Sequence, residues 1–188
     1  PVTQVFHNTI WYSFVLALVS FIFEILIAIP LGIKAAKNQY GFTDYFASVF
    51  SMVCISMPTF FLATLLKYVF AVKLKWFEIS GMQGRNFARL SDFGKFMDIA
   101  SHFVLPCITL IIISIGGLMR YTRTNMLEVL NADYIRTARA KGVPEKKVIN
   151  HHAFRNTLIP LVTTLGGSLP GLFGGALITE TLFALEGI

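Results

Sequence analysis

Residues 131–160 read NADYIRTARAKGVPEKKVINHHAFRNTLIP, the most basic stretch of an otherwise apolar chain. Its spacing predicts two helical arms. Leu127, Leu130, Tyr134 and Ala138 recur at three- and four-residue steps, which places an apolar stripe on one face of a first arm. Gly142 stops that arm, because glycine takes the left-handed conformation that closes a helix, and Lys141 suits the negative end of the helix dipole. Pro144 opens the second arm as its first helical residue, where its missing N–H would be unpaired in any case. The element lies between two runs long enough to cross a bilayer. A basic helix–glycine–helix segment held at a membrane face has little use unless something soluble docks on it.

The surrounding chain sets the class. It has 188 residues, of which 55% are hydrophobic and 14% charged, with a mean hydropathy of +0.66. Four low-charge runs, 10–33, 49–66, 103–119 and 156–179, approach or reach the roughly 17–25 residues that a hydrocarbon core requires. Extending the second run to residue 72, the expected spans are 10–33, 49–72, 103–119 and 156–179. A soluble core has no room for that much continuous apolar sequence, so residues 1–188 are expected to form one all-α, multi-pass membrane domain. The net charge of +6 sits between the spans and fits topology better than nucleic-acid binding. One face carries Lys34, Lys37, Arg120, Arg123, Arg136, Arg139, Lys141, Lys146, Lys147 and Arg155. The opposite loop, 73–102, carries Lys73, Lys75, Arg85, Arg89 and Lys95. The positive-inside rule therefore puts the 120–155 loop in the cytoplasm.

Within the runs, Glu24 is the ionisable group that needs an account. A carboxyl near mid-span must face other helices or a cavity; a hydrogen-bonded packing contact is the preferred role, a substrate-pathway group the alternative. Pro30 and Gly32 are expected to close the first span. Pro58, in the sequence SMPTFF with Phe60, predicts a kink that serves packing or a hinge. The last span is rich in small residues: Gly166, Gly167, Gly171, Gly174, Gly175 and Ala176. They permit close helix approach at a subunit interface or along a moving helix, and Pro170 is placed to break that helix. Glu24, Pro58, Phe60, Gly166, Gly167, Pro170 and Gly171 are the expected residues of a translocation path. Cys54 and Cys107 lack metal-ligand spacing and are read as packing residues. His151 and His152 point about 100° apart on a helix and make a poor metal clamp. No phosphate-cradling glycine loop or hydrolase motif is found in the chain, so no metal or catalytic set is assigned.

Several stretches resemble one family. Asp133, Tyr134, Arg136, Thr137, Ala138, Arg139, Ala140, Lys141, Gly142, His152, Ala153, Arg155, Asn156 and Pro160 match the cytoplasmic "EAA" loop of ABC-importer permeases, in the oligopeptide/dipeptide/nickel branch. Arg136 stands where the general pattern has glutamate and Thr137 where it has the first alanine, both as in that branch. SMPTFF and LKWFEISGMQG resemble further stretches of the branch, and ETLFALEGI resembles its E-T-x-F-x-x-P-G-I-G ending, with Glu186 in place of proline. The resemblance implies a MetI-like helical bundle, a B-type permease subunit with four of six spans present. It implies a cell-membrane importer subunit for peptides, or for nickel or another small solute; a channel or redox subunit is the distant alternative. It further implies coupling through residues 131–160 to two ABC ATPase subunits that hold ATP and Mg, with no cofactor on this chain. A second homologous permease (a heterodimer), an extracytoplasmic substrate-binding protein and membrane lipid complete the implied partners.

Overall fold

The computed structural model describes residues 2–84, 86–174 and 176–185, with side chains from Ile10 onward. Among these residues all regular structure is helical. Helix α1 is Val2–Lys37, α2 is Phe42–Ser56, and α3, Thr59–Leu66, runs into a π-helical segment at Lys67–Lys73. Helix α4, Asp92–Leu130, is the longest at 39 residues. Then come α5 (Asp133–Ala140), α6 (Glu145–Lys147), a π-helical Val148–Ala153 and α7 (Phe154–Ser168). A 3₁₀ turn at Leu169–Phe173 and α8 (Leu177–Phe183) follow.

Two stretches, Ile10–Lys37 and Asp92–Leu130, are long and apolar enough to cross a membrane. The broken pairs Phe42–Ser56 with Thr59–Lys73, and Glu145–Phe173 with Leu177–Phe183, bring the number of candidate spans to as many as four. The polypeptide outruns the apolar runs in each case. Pro30 and Gly32 do not close the first span: α1 continues through both to Lys37. In an apolar setting, losing one backbone bond at a proline costs less than unwinding the helix and exposing several. The 73–102 loop is shorter than its polarity suggests, since α4 already starts at Asp92, whose carboxylate suits a helix N-terminus. Pro58 interrupts its span completely, with extended backbone (φ −62°, ψ 139°) between α2 and α3. Pro170 lies where α7 gives way to the 3₁₀ turn.

The chain divides into two compact units. One comprises residues up to 23, 56–113 and 170 onward; the other comprises 24–55 and 114–169. In the first unit, Ala63, Ala71, Leu105 and Phe183 form a buried cluster. The Lys67 ammonium donates to the Leu182 carbonyl (2.7 Å), and the Gly81 N–H to that of Phe183 (2.9 Å). These bonds satisfy carbonyls that the C-terminal end of α8 leaves without helical partners.

The second unit contains the end of α1, α2 up to Ile55, the end of α4, both arms and all of α7. Two glycines set its helix spacing. A Cβ on Gly32 would lie 2.7 Å from the Met119 carbonyl oxygen and 2.8 Å from Thr122 Cβ. One on Gly116 would lie 2.7 Å from the Ser51 carbonyl oxygen and 2.9 Å from Cys54 Cβ. Neither position has room for a side chain, so α1 meets α4, and α2 meets α4, almost backbone to backbone. Asp44 joins the same helices electrostatically. Its carboxylate accepts from Arg123 Nε and from an Arg123 terminal nitrogen (2.8 Å), and also from the Tyr40 N–H (2.8 Å).

Candidate functional site

The two arms are built by local chemistry and held by a common core. Helix α4 stops at Leu130, and Asn131 Nδ2 turns back onto the Leu127 carbonyl (2.9 Å). After the break at residues 131–132, α5 begins at Asp133 with its helical phase reset. Of the expected stripe, Leu127, Leu130 and Ala138 pack on the common core and Tyr134 does not. Leu127 and Leu130 lie on α4, whereas Ile135 takes the fully buried position on α5 and Tyr134 is 48% exposed. Ile135 packs with Ala36 of α1, Met126 of α4, and Val148, Ile149 and Ala153 of the second arm; Ile33, Leu127, Val129, Leu130, Ala138 and Val143 surround them. Burying one such aliphatic side chain stabilises by about 1.5–3 kcal/mol. The cluster thus fastens both arms to α1 and α4.

Gly142 closes α5 in the left-handed region (φ +75°). Its N–H reaches the Arg139 carbonyl (2.9 Å), and the Val143 N–H reaches that of Ala138 (3.2 Å). This pair of bonds is a Schellman closure, and Val143 and Ala138 supply its customary apolar contact on the shared core. Pro144 stands one place earlier than expected: it caps α6 from outside with extended backbone (φ −55°, ψ 137°), and its carbonyl accepts from Lys147 and Val148. Across this turn Arg139 grips Glu145, Nε to Oε2 at 3.1 Å and a terminal nitrogen to Oε1 at 2.8 Å. The guanidinium holds the Glu145 carboxyl below the ordinary carboxylate range.

Most of the remaining expected loop residues lie at the surface. Arg136, Thr137, Ala140, Lys141, Gly142, Arg155 and Asn156 are exposed, and Ala138, His152 and Pro160 half-buried. Thr137 Oγ1 bonds the Asp133 carbonyl (2.9 Å) and Asn156 Nδ2 that of His152 (2.7 Å). Arg136 makes only a loose pair with Asp133 (3.8 Å). The exposed set forms a positively charged, hydroxyl-bearing face over the buried cluster. That surface is suited to contact with another protein, and it offers no nucleophile–base arrangement.

The residues expected to line a translocation path divide between the two units, Glu24, Gly166 and Gly167 in one and Pro58, Phe60, Pro170 and Gly171 in the other. Glu24 is half-buried and forms no hydrogen bond or ion pair with a described residue, so none of these satisfies it as a packing group. Pro58 and Phe60 are exposed. Added Cβ atoms at Gly166, Gly167 and Gly171 would meet nothing within 4 Å, so this chain does not use those glycines for close packing. Gly175 lies outside the described residues. Cys54 and Cys107 are free, the first buried and the second half-buried.

Sequence reasoning passed over several interacting residues. Asp44 reads as an ordinary helix-start acid and Arg123 as a topology marker; their pairing spans 79 positions. Lys67 hides at the edge of an apolar run, and Glu180, only 2% exposed, caps α8 by accepting the Ala176 N–H (3.0 Å). A basic residue one turn beyond the Arg120 boundary was the available signal for the Asp44 pair.

Helical throughout the described residues, with as many as four candidate spans and a braced two-armed element on its basic side, the chain has the architecture of a polytopic membrane protein. Comparison with known families narrows this. Residues 28–188 match the family described as binding-protein-dependent transport system inner membrane component, and the chain belongs to it. It is similar to the oligopeptide transport system permease protein AppB of Bacillus subtilis, 38% identical over 188 residues, covering 100% of this chain and 58% of the relative. The dipeptide transport system permease protein DppB of Alkalihalophilus pseudofirmus is 37% identical, covering 92% and 56%. The oligopeptide transport system permease protein OppB of Haemophilus influenzae is 34% identical, covering 94% and 53%. The chain therefore spans little more than half the length of these relatives.

Proposed function

We propose that this chain supplies membrane spans of a permease subunit in an ATP-driven importer of peptides. The observation that carries the reading is the braced turn at Gly142, exposed on its outer side and locked to α1 and α4 through Ile135 on its inner side. Force applied to the turn passes to the helices, because the arms cannot flex separately from the cluster. Two ABC ATPase subunits, holding ATP and Mg, dock on Tyr134, Arg136, Thr137, Lys141 and their neighbours. Their closure moves the turn as a lever and rocks the spans between outward- and inward-open states, a rigid-body transition of familiar type. ATP hydrolysis belongs to those partners and not to this chain. A second homologous permease faces the open glycines of α7, and an extracytoplasmic binding protein delivers substrate. Peptides are favoured because the relatives above are named for oligopeptides and dipeptides.

The test is site-directed cross-linking in the purified transporter. Cysteine placed at Lys141 is expected to cross-link to a co-purifying ATPase with a yield that changes when ATP is added, while cysteine at Lys95 is expected not to. Recovery of the complex with no ATPase near Lys141 would remove the basis of the proposal.

A further inference from the structure

Beside the Asp44–Arg123 pair, α2 and α4 border an open cavity of about 280 Å³ lined by Ala47, Ser48, Ser51, Arg120, Arg123 and Thr124. Its charges are unequal. Arg123 is committed to Asp44, and Asp44 also takes the Tyr40 N–H, so that pair is internally neutral. Arg120 has no ion pair or hydrogen bond to a described residue. The Ser51 hydroxyl is spent on the Ser48 carbonyl (2.8 Å), whereas the hydroxyls of Ser48 and Thr124 are uncommitted among the described residues. The cavity therefore offers one net positive charge, a planar guanidinium and two free hydroxyls.

We infer that this cavity binds the phosphodiester headgroup of an anionic phospholipid in the cytoplasmic leaflet. A phosphodiester carries one negative charge, which matches the single unpaired guanidinium, and its oxygens suit bidentate arginine contact with hydroxyl support. Position separates a lipid from a free ion. Arg120 directly follows the uncharged stretch 104–119 of α4, so its side chain stands at the edge of the hydrocarbon, at headgroup depth. Next to the cavity, α2 presents Phe46, Val49, Met52 and Val53, which are 49–61% exposed. Acyl chains lie along that face while the phosphate enters between the helices. The bound lipid bridges α2 and α4 beside the Asp44–Arg123 pair.

The inference rests on the membrane placement of the helices and not on the transported substrate. Its test is made on the full-length protein in its transporter, purified in detergent. Phosphatidylglycerol, phosphatidylcholine and inorganic phosphate are each titrated, and bound lipid is counted by native mass spectrometry. Wild-type protein is expected to retain phosphatidylglycerol over phosphatidylcholine. Arg120→Gln is expected to weaken that retention about ten-fold, the usual size for losing one charge-assisted contact, and Arg120→Lys to restore part of it. Thr124→Val, which removes one hydroxyl and leaves the charge intact, is expected to have a smaller effect in the same direction. Equal retention of phosphatidylglycerol by wild type and Arg120→Gln would overturn the proposal. So would displacement of the lipid by millimolar inorganic phosphate or a short peptide carboxylate, which would assign the cavity to a soluble anion.

Discussion

Arg139 and Glu145 form a two-point ion pair across the Gly142 turn, and the same guanidinium reaches back to the Leu130 carbonyl at 3.5 Å. One side chain thus touches the end of α4, the body of α5 and the start of α6. The pair is solvent-exposed, at 42% and 55% for its two side chains, so it adds little to global stability. Its value is geometric, because it fixes the angle at which the second arm leaves the turn.

Removing the brace should separate coupling from folding. Glu145→Gln is expected to lower stability by no more than about 1 kcal/mol, the upper range for an exposed pair. Substrate-stimulated ATPase in reconstituted transporter is expected to fall several-fold. Since Arg139 depresses the Glu145 pKa, the pair is intact at neutral pH and is lost only as pH falls through that lowered value. Wild-type coupling in the Gln variant would show that the arms keep their angle without the pair.

Gly142 separates backbone strain from crowding. An added Cβ would meet nothing within 4 Å, so the penalty at φ +75° is conformational alone. Gly142→Val is expected to cost about 1–2 kcal/mol and to misalign the arms. Gly142→Asn should be milder, because asparagine tolerates the left-handed region. Coupling measured in vesicles should rank Gly above Asn above Val. If Val couples as well as Gly, the turn is not a lever.

What the sequence disclosed follows from the range of the forces involved. The closure at Gly142 and the stop near Pro170 depend on neighbouring residues, and both were legible. In the apolar stripe of the first arm Leu127, Leu130 and Ala138 do meet the core, but a two-residue break at 131–132 shifts the helical phase and moves the buried position from Tyr134 to Ile135. The Asp44–Arg123 pair and the close approaches at Gly32 and Gly116 join segments dozens of residues apart, and beyond the placement of Arg123 one turn past the Arg120 boundary the sequence carries no signal of such pairing. Glycine counts misled for the same reason. The last span is rich in glycine, yet the helix-to-helix approaches that leave no room for a Cβ are at Gly32 in α1 and Gly116 in α4.

That contrast gives a direct experiment. Gly32→Ala places a methyl against the Met119 carbonyl and Thr122, and is expected to destabilise by about 1–3 kcal/mol through overpacking. Gly166→Ala and Gly167→Ala meet open space, and are expected to be neutral or to stabilise α7 by up to about 1 kcal/mol. Thermal unfolding of purified variants measures both. A transport loss in the Gly166 or Gly167 variants without a stability loss would place those glycines against a partner subunit. Equal stability of Gly32→Ala and wild type would mean that α1 and α4 are farther apart than described.

Glu24 poses the remaining question. A carboxyl inside a span is costly unless something answers it, and no described residue of this chain does. The answering group therefore lies outside the described chain, in a second subunit, in the water of a pathway or on the substrate. Glu24→Gln keeps shape and most hydrogen-bonding capacity while removing charge; Glu24→Leu removes both. If the partner is a neutral hydrogen-bonding group of another helix, Gln is tolerated for all substrates and Leu fails for all. If the carboxylate faces the pathway, Gln reduces uptake of cationic peptides and spares neutral ones, with ATPase coupling unchanged. Because no described residue answers the carboxyl as a packing partner, the charge-selective loss is the expected result. An uptake series over neutral and cationic peptides decides it, and equal uptake of both by the Gln variant would return Glu24 to a packing role between subunits.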